Sequence, residues 1–137
     1  MKPVFLDASG LIAVANTDDQ WHQPAETVWH QLVASDAPLL TTSLVLFELG
    51  DGLSRIDRRP LAVELYDRLR RSPRVQIISL TSEQESTAWE LFRQRPDKEW
   101  GATDCASFVV MGQLGMEDAF TMDHHFQQAG FRRLIRS

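Results

Sequence analysis

Cysteine is almost absent from this sequence of 137 residues, which contains only Cys105. A single thiol cannot form an internal disulfide, and its place in an apolar run is typical of a buried, reduced side chain. No apolar run approaches the roughly 20 residues that a membrane-spanning helix needs. The N-terminus also lacks the features of a signal peptide. We therefore expect a cytoplasmic protein with no membrane anchor.

Repeats, low-complexity segments and polar linkers are also missing, and glycine and proline occur only 7 and 6 times. A chain with 43% hydrophobic residues and this length can bury a core without further support. The sequence therefore predicts a single domain over residues 1–137. It has no Gly-rich phosphate loop with Lys and Ser/Thr, which argues against phosphoryl transfer from a nucleotide.

Positive charge is scarce, since 14 Lys and Arg residues stand against 19 Asp and Glu residues and the net charge is −5. This balance is unusual for a nucleic-acid-binding domain, which normally carries a basic surface. The basic residues are nevertheless concentrated. Seven lie between Arg55 and Arg74, and three more are Arg132, Arg133 and Arg136. A solvated helix face and a nucleic-acid contact both explain the first cluster.

Short apolar runs that alternate with helical patterns predict a parallel sheet. The predicted strands are residues 4–6, 39–42, 75–80 and 119–121, with a last edge strand at 134–135. Parallel neighbours need crossovers of about a dozen residues, which the helices between these runs supply. The predicted fold class is therefore α/β, with a central, mostly parallel sheet of four to five strands.

Capping residues indicate where several helices begin. Ser43 is a typical N-cap directly after the second strand, and Ser82 with Glu85 three residues later matches a capping box. Asp104 stands at the predicted start of a later helix, followed by an apolar run. These signals place Glu48 and Asp104 on helices that follow the sheet.

Four acidic residues follow predicted strands or lie near predicted helix starts: Asp7, Glu48, Asp104 and Asp123. Functional groups collect beyond the carboxyl ends of parallel strands, so we expect these side chains at one edge of the sheet. Any one of them alone is explained as well by helix capping or solvation. Four carboxylates in one cleft repel one another unless protons or cations compensate. The pattern therefore predicts a divalent cation site.

The donor set favours Mg²⁺ or Mn²⁺ over Zn²⁺, because it contains oxygen ligands without clustered histidine or cysteine. His22 and His30 lie on a separate helical segment, and the adjacent His124 and His125 are not expected to face one ion together. One or two such cations beside a basic groove can bind a phosphodiester and orient a water for in-line attack. The sequence therefore predicts hydrolysis of nucleic acid.

The residues around these acids resemble the PIN-domain family, and within it the VapC-type ribonuclease toxins of bacterial toxin–antitoxin pairs. The matching segments, which span nearly the whole chain, are VFLDAS from Val4, Glu48, WGATDC from Trp100 and FTMDHHF from Phe120. The most specific part is TDC before an apolar helix, combined with T-x-D-x-x-F near the C-terminus. The resemblance implies a PIN-like three-layer α/β/α sandwich.

The resemblance also implies roles for the four acids. Asp7, Asp104 and Asp123 correspond to metal ligands, Asp123 directly or through water. Glu48 corresponds to a water-mediated ligand or to the residue that positions the attacking water. The expected cofactor is Mg²⁺ or Mn²⁺, and one or two ions are both compatible with such a site.

Polar and aromatic neighbours of the acids have roles implied in the same way. Ser9 and Thr121 are expected to support the site by hydrogen bonds, while Thr103 either joins them or caps the helix of Asp104. Gly101 stands where relatives often have serine, which puts the family's substrate contacts by residues 96–101 in doubt. Trp100 fits a packing or rim position, with base stacking as the alternative.

The activity implied by the resemblance is an endoribonuclease that leaves a 5′-phosphate and a 3′-hydroxyl. Such toxins are held inactive by an antitoxin protein whose segment packs into a groove and places a basic side chain near the acids, and homodimers are usual. Residues 21–33 and 43–53 are candidate groove walls. Ordinary core packing explains both segments equally well.

Three other functions fit the sequence less well than an endoribonuclease. A structure-specific DNA nuclease could use the same acids, but the short chain leaves no room for a module that grips a duplex. A phosphatase or phosphotransfer domain could use Asp7 as nucleophile. That pattern would need an acid where Ser9 stands or a late lysine, and the only lysines are Lys2 and Lys98. A non-catalytic interaction module would not need all four acids.

Overall fold

The sheet consists of five short strands, and the computed structural model describes all residues, 1–137. They are β1 Val4–Leu6, β2 Leu39–Thr42, β3 Val75–Ile78, β4 Asp118–Phe120 and β5 Arg132–Arg133. Their order is β3-β2-β1-β4-β5, and every neighbouring pair is parallel. The chain moves to one side of β1 for β2 and β3 and to the other side for β4 and β5. Ligands of open α/β sheets bind at such a reversal, here between β1 and β4.

Seven helices connect the strands. They are α1 Ala8–Ala15, α2 His22–Ala34, α3 Ser43–Gly52, α4 Arg59–Arg71, α5 Ser82–Gln94, α6 Ala102–Gln113 and α7 His124–Gln128. Helices α1 to α4 pack against one another, and α6 contacts α5 and α7. These two groups flank the sheet, so the predicted three-layer α/β/α class is confirmed. None of the helices is both long enough and apolar enough to cross a membrane.

The hydrophobic core is one cluster of 31 buried residues centred on β1, whose three residues are all buried. Helix α6 buries every residue from Cys105 to Met111, and Cys105 is free and fully buried, as predicted. Trp100 is also buried, with its ring edge-on to Phe108 at 5.1 Å between centroids. This contact confirms the packing position of Trp100 over the stacking alternative.

Several predicted strand ends are wrong by one or two residues. Strand β4 is Asp118–Phe120 instead of 119–121, β3 ends at Ile78 instead of 80, and β5 is Arg132–Arg133 instead of 134–135. Arg132 N donates to Glu117 O at 2.8 Å and Leu134 N to Ala119 O at 2.9 Å, so pairing of β5 begins before its apolar residues. An edge strand leaves side chains exposed, and apolar patterning therefore does not mark its limits.

Two predicted N-caps lie one residue too late. Thr42, with extended backbone, caps α3 by accepting a hydrogen bond from Val45 N at 3.2 Å. The capping box of α5 is formed by Thr81 and Gln84, whose side chain accepts from Thr81 N at 2.9 Å. In both places a threonine precedes the serine, and the helix begins as soon as a capping hydroxyl is available. Helix α6 likewise begins before Asp104, which is its third residue.

Candidate metal centre

The four predicted carboxylates line one cavity of about 310 Å³ at the carboxyl ends of the strands. Asp7 follows β1, Asp123 follows β4, and helices α3 and α6 present Glu48 and Asp104. The other residues that line this cavity are Ala8, Ser9, Ile12 and Asp51. The topology therefore brings together acids that are far apart in the sequence, at the switch point between β1 and β4.

Asp7 is the most buried of these acids, with 4% of its surface exposed. Its Oδ2 atom accepts hydrogen bonds from Ser9 Oγ at 2.7 Å and Thr121 Oγ1 at 2.8 Å. Burial, together with the smaller effect of the negative charges of Asp104 and Asp123, raises the pKa of Asp7 to about 6, although the two hydroxyl hydrogen bonds oppose this shift. The hydroxyl bonds leave Oδ1 free to bind a further partner.

Thr121 connects two of the acids. It is fully buried, and its Oγ1 contacts Asp7 and also accepts a hydrogen bond from Asp123 N at 3.0 Å. Ser9 Oγ lies 2.9 Å from the same threonine oxygen. Thr121 and Ser9 thus occupy the supporting positions expected for them, and they fix the orientation of the Asp7 carboxylate.

Glu48 approaches the cavity from α3, where it is partly buried. Burial raises its pKa to about 7, and the negative charges of Asp7, Asp104, Asp123 and Asp51 add to the shift. The sequence prediction missed Asp51. It lies three residues after Glu48, a spacing that puts two side chains on one face of a helix and could have revealed it.

Asp104 and Asp123 share a neighbour that the sequence prediction also missed. His125 Nδ1 lies 3.2 Å from Asp104 Oδ2 and 3.3 Å from Asp123 Oδ1. Asp104 Oδ2 also accepts a hydrogen bond from Gly101 N at 3.1 Å, yet burial raises the pKa of Asp104. Asp123 caps α7 by accepting from His125 N at 2.9 Å. This cap turns the His125 ring toward the acids.

We did not expect His124 and His125 to face one ion together, but the distances between their ring nitrogens would allow it. Their ligand atoms and that of Asp123 all lie within 4.8 Å of one another. His124 is nevertheless exposed, with 65% of its side chain accessible, whereas 18% of the His125 side chain is accessible. His125 is therefore the histidine that packs against two acids of the site, Asp104 and Asp123.

Thr103 has neither of its predicted positions. Its side chain makes no hydrogen bond, and Gly101 occupies the N-cap position of α6. Thr103 lines a separate hollow with Leu80 and Trp89. Thr103 and Asp104 are consecutive, and successive side chains on a helix point about 100° apart. The sequence neighbour of a site residue is therefore not its spatial neighbour.

Comparisons with known proteins agree with this architecture. A family model described as the PIN domain matches residues 4–132. The 23S rRNA-specific endonuclease VapC20 of Mycobacterium tuberculosis is 31% identical over 130 residues, which cover 93% of this chain and 95% of the relative. The crystal structure of VapC20, described as a sarcin–ricin loop cleaving toxin, superposes with a TM-score of 0.85 at 29% identity and covers 94% of this chain and 96% of that chain.

A more distant solved structure shares the fold. VapBC2 from Rickettsia felis, bound to a DNA fragment from its promoter, gives a TM-score of 0.68 at 16% identity, with 93% of this chain and 92% of that chain covered. At this identity the likeness shows the fold alone. The family match and the VapC20 relative each span almost the whole chain. The protein therefore belongs to the PIN-domain family, in its VapC-type group.

Proposed function

We propose that residues 1–137 form a single-domain, Mg²⁺- or Mn²⁺-dependent endoribonuclease, the toxin of a toxin–antitoxin pair. The observation that carries the proposal is the cavity in which Asp7, Glu48, Asp104 and Asp123 meet. Mutual repulsion and burial raise the pKa of three of them, Asp7, Glu48 and Asp104. The carboxylates repel one another when they are ionised, and a bound cation would offset this repulsion.

The donor set fits a hard divalent cation. Every carboxylate offers oxygen, and Oδ1 of Asp7 is free of hydrogen bonds although the side chain is buried. We assign Asp7, Asp104 and Asp123 to hold the ion. When bound, Mg²⁺ or Mn²⁺ would supply positive charge that makes water more acidic and offsets charge on the phosphate oxygens.

The residues around the ion site have distinct tasks in hydrolysis. Ser9 and Thr121 hold Oδ2 of Asp7 by hydrogen bonds. The carboxylate could therefore bind a metal ion without changing its orientation. Glu48, whose pKa is about 7, accepts a proton from the attacking water at its carboxylate. The water oxygen forms a bond to phosphorus while the bond from phosphorus to the 3′-oxygen breaks. The 3′-oxygen takes up a proton from solvent water, and the products are a 5′-phosphate and a 3′-hydroxyl.

The proposed substrate is the sarcin–ricin loop of 23S ribosomal RNA. This choice is supported by the identity of 31% to VapC20 over nearly the full length of both chains. The proposed site of action is the cytoplasm, where ribosomes are found.

An antitoxin is the proposed partner of an apolar groove between α3 and α4. The groove measures about 410 Å³ and includes Phe47, Val63 and Tyr66, whose exposed fractions are 74%, 58% and 41%. Phe47 is adjacent in sequence to Glu48, so α3 separates the groove from the acid cavity. An apolar antitoxin segment could fill the groove and extend a basic side chain to the acids.

A homodimer is proposed through α5. Trp89 and Phe92 are 58% and 43% exposed and contact each other edge to face at 5.7 Å. Trp89 also borders the hollow that contains Leu80, Thr103 and Ala106. Exposed aromatic side chains next to a hollow are typical of interface cores. Sedimentation of the wild type and of Trp89→Glu tests this assembly, since the variant should be monomeric.

The proposed activity is tested with purified chain and a synthetic sarcin–ricin loop RNA. Cleavage should require Mg²⁺ or Mn²⁺, stop in EDTA and be lost in Asp104→Asn and Asp123→Asn. Asp97→Asn is the matched control, because Asp97 is exposed, pairs with Arg95 and lies outside the cavity. Mapping of the cut ends should show a 5′-phosphate.

Other outcomes identify the alternatives. Cleavage that persists in EDTA would exclude the metal-dependent mechanism. Equal cleavage of a DNA strand of the same sequence would indicate a DNA nuclease. An intact RNA, together with tight binding of the cognate antitoxin, would indicate an interaction module. Calorimetric titration with Mn²⁺ provides a readout independent of cleavage, and affinity should fall in Asp104→Asn.

A further inference from the structure

A second polar cavity lies at the β5 edge of the sheet. It measures about 290 Å³ and is lined by Trp21, Gln127, Arg133, Arg136 and Ser137. No Asp or Glu side chain contributes to its wall. In a chain with a net charge of −5, a cavity lined by two arginines and by no Asp or Glu side chain is chemically distinct. Its composition favours an anionic ligand.

The two arginines of this cavity are available to bind an anion. Six of the 14 basic side chains in the protein pair with a carboxylate: Lys2, Arg55, Arg93, Arg95, Lys98 and Arg132. Arg133 and Arg136 have no such partner. Arg133 donates from Nη1 to Met122 O at 2.9 Å, which fixes the guanidinium and leaves its other nitrogens without a partner.

Trp21 differs from the other three tryptophans. Trp29, Trp89 and Trp100 each contact a phenylalanine ring. Trp21 has no aromatic partner and no side-chain hydrogen bond, and it packs against the core while it also lines the cavity. An indole held on one side by the core and open on the other can stack with a nucleobase.

Helix α7 connects this cavity to the acids. Asp123 caps its N-terminus, and Gln127 lies on the same helix four residues later. Four residues rise about 6 Å along a helix. A stacked nucleic-acid strand advances roughly 3.4 Å per nucleotide, so one or two nucleotides cover this distance. Arg133 also contacts Met122, the residue before Asp123.

We propose that Trp21, Gln127, Arg133 and Arg136 form a subsite for a nucleotide close to the cleaved phosphodiester. The guanidinium groups of Arg133 and Arg136 bind a backbone phosphate, the indole of Trp21 stacks with a base, and Gln127 donates or accepts a hydrogen bond at the base edge. This assignment rests on the proposed ribonuclease function. It extends the RNA contact beyond the acid cavity.

The test measures RNA binding without cleavage. All variants carry Asp104→Asn, are kept in EDTA and are titrated against a fluorescent sarcin–ricin loop RNA at several salt concentrations. Arg136→Gln should weaken binding and reduce the slope of log affinity against log salt by about 1. Trp21→Ala should weaken binding roughly 5- to 100-fold, and Trp21→Phe, which keeps a stacking ring, should restore most of it.

Arg93→Gln is the matched control, since Arg93 is exposed on α5 and pairs with Glu90. It should change neither affinity nor salt slope. Unchanged affinity and slope in Arg136→Gln, while the parent binds RNA, would overturn the subsite. The same conclusion follows if Arg93→Gln has an equal effect. Failure of the parent itself to bind this RNA, both in EDTA and with Mg²⁺ added, would instead contradict the proposed function, and the two failures are thus distinguishable.

Discussion

Two buried aspartates on neighbouring strands have opposite surroundings. Asp118 begins β4 and is 5% exposed, and both of its carboxylate oxygens accept hydrogen bonds from Arg132 at 2.8 Å. Asp7 follows the carboxyl end of β1 and is 4% exposed. Its side chain accepts hydrogen bonds from two hydroxyl groups and contacts no basic side chain. The chain supplies a counter-charge for one carboxylate and omits it for the other.

This difference indicates that Asp118 has a structural role, whereas Asp7 is able to bind a cation. A bidentate pair with arginine gives a buried carboxylate a counter-charge and two hydrogen bonds. Without a cation, burial raises the pKa of Asp7 to about 6, and the neighbouring acids add to the shift. A carboxylate left in this state can bind a cation from solution. Variants of the two aspartates should therefore affect different properties of the protein.

The largest expected effect is on catalysis, from Asp7→Asn. Cleavage of the RNA substrate should fall more than about 100-fold, because even the outer partners of metal ligands contribute 10- to 100-fold. The melting temperature in EDTA should stay the same or rise, since the substitution removes a poorly compensated buried charge. A parallel loss of stability and activity would place Asp7 with Asp118 as a structural residue.

Thr121→Val tests how strongly the hydroxyl shell supports Asp7. Valine has nearly the same shape and removes the contacts to Asp7 Oδ2 and Asp123 N. Affinity for Mn²⁺ should fall by about 10- to 100-fold, measured by calorimetry. Thr41→Val is a suitable control, because Thr41 is equally buried on β2 but bonds only to Leu6 O. An equal loss in both variants would indicate general damage to the sheet.

Asp118→Asn should reverse the pattern seen for Asp7. The free energy of unfolding should fall by about 1–2 kcal/mol, since a charge-assisted pair is replaced by weaker hydrogen bonds. Cleavage per folded molecule should remain at the wild-type level. Urea unfolding and the RNA assay measure the two properties on the same preparation. A drop in specific activity would show that the Arg132 pair also supports the metal site.

The smallest effect concerns pH. Burial raises the pKa of Glu48 from 4.5 to about 7, so the folded metal-free protein binds more protons than the unfolded chain in this range. Its stability should therefore fall as the pH rises from about 4.5 to 7. Glu48→Gln should melt a few degrees higher than wild type at pH 8 in EDTA, a difference of about 1 kcal/mol.

At pH 4 the two proteins should melt alike, because the glutamate is then protonated in both the folded and the unfolded state. Glu64→Gln controls for the loss of one negative charge, because Glu64 is exposed on α4 and forms no ion pair. A stability gain of equal size in this control would mean that net charge, not the acid cavity, causes the difference. Addition of Mg²⁺ should stabilise the wild type more than Glu48→Gln at pH 8.

The parallel α/β class and the meeting of four acids could be predicted because both depend on topology. An acid that directly follows a strand in a parallel sheet has little freedom in where it lies, as Asp7 and Asp123 show. Asp51 and His125 were not predicted, because helix phase brings Asp51 to the cavity and the capping geometry of α7 brings His125 against Asp104 and Asp123. The position of Thr103 was wrong for the same reason, since one step along a helix changes the direction of a side chain.

The hydrogen bond between Asp7 and Thr121 joins residues that are 114 positions apart in the chain. A ribosome adding 5–20 residues per second needs roughly 6 to 23 seconds to make that interval. During this time the nascent chain contains Asp7 but neither β4 nor Asp123, so the acid cavity cannot assemble. If the protein cleaves ribosomal RNA as proposed, the ribosome that makes it is protected by the order of synthesis until β4 and Asp123 have been made.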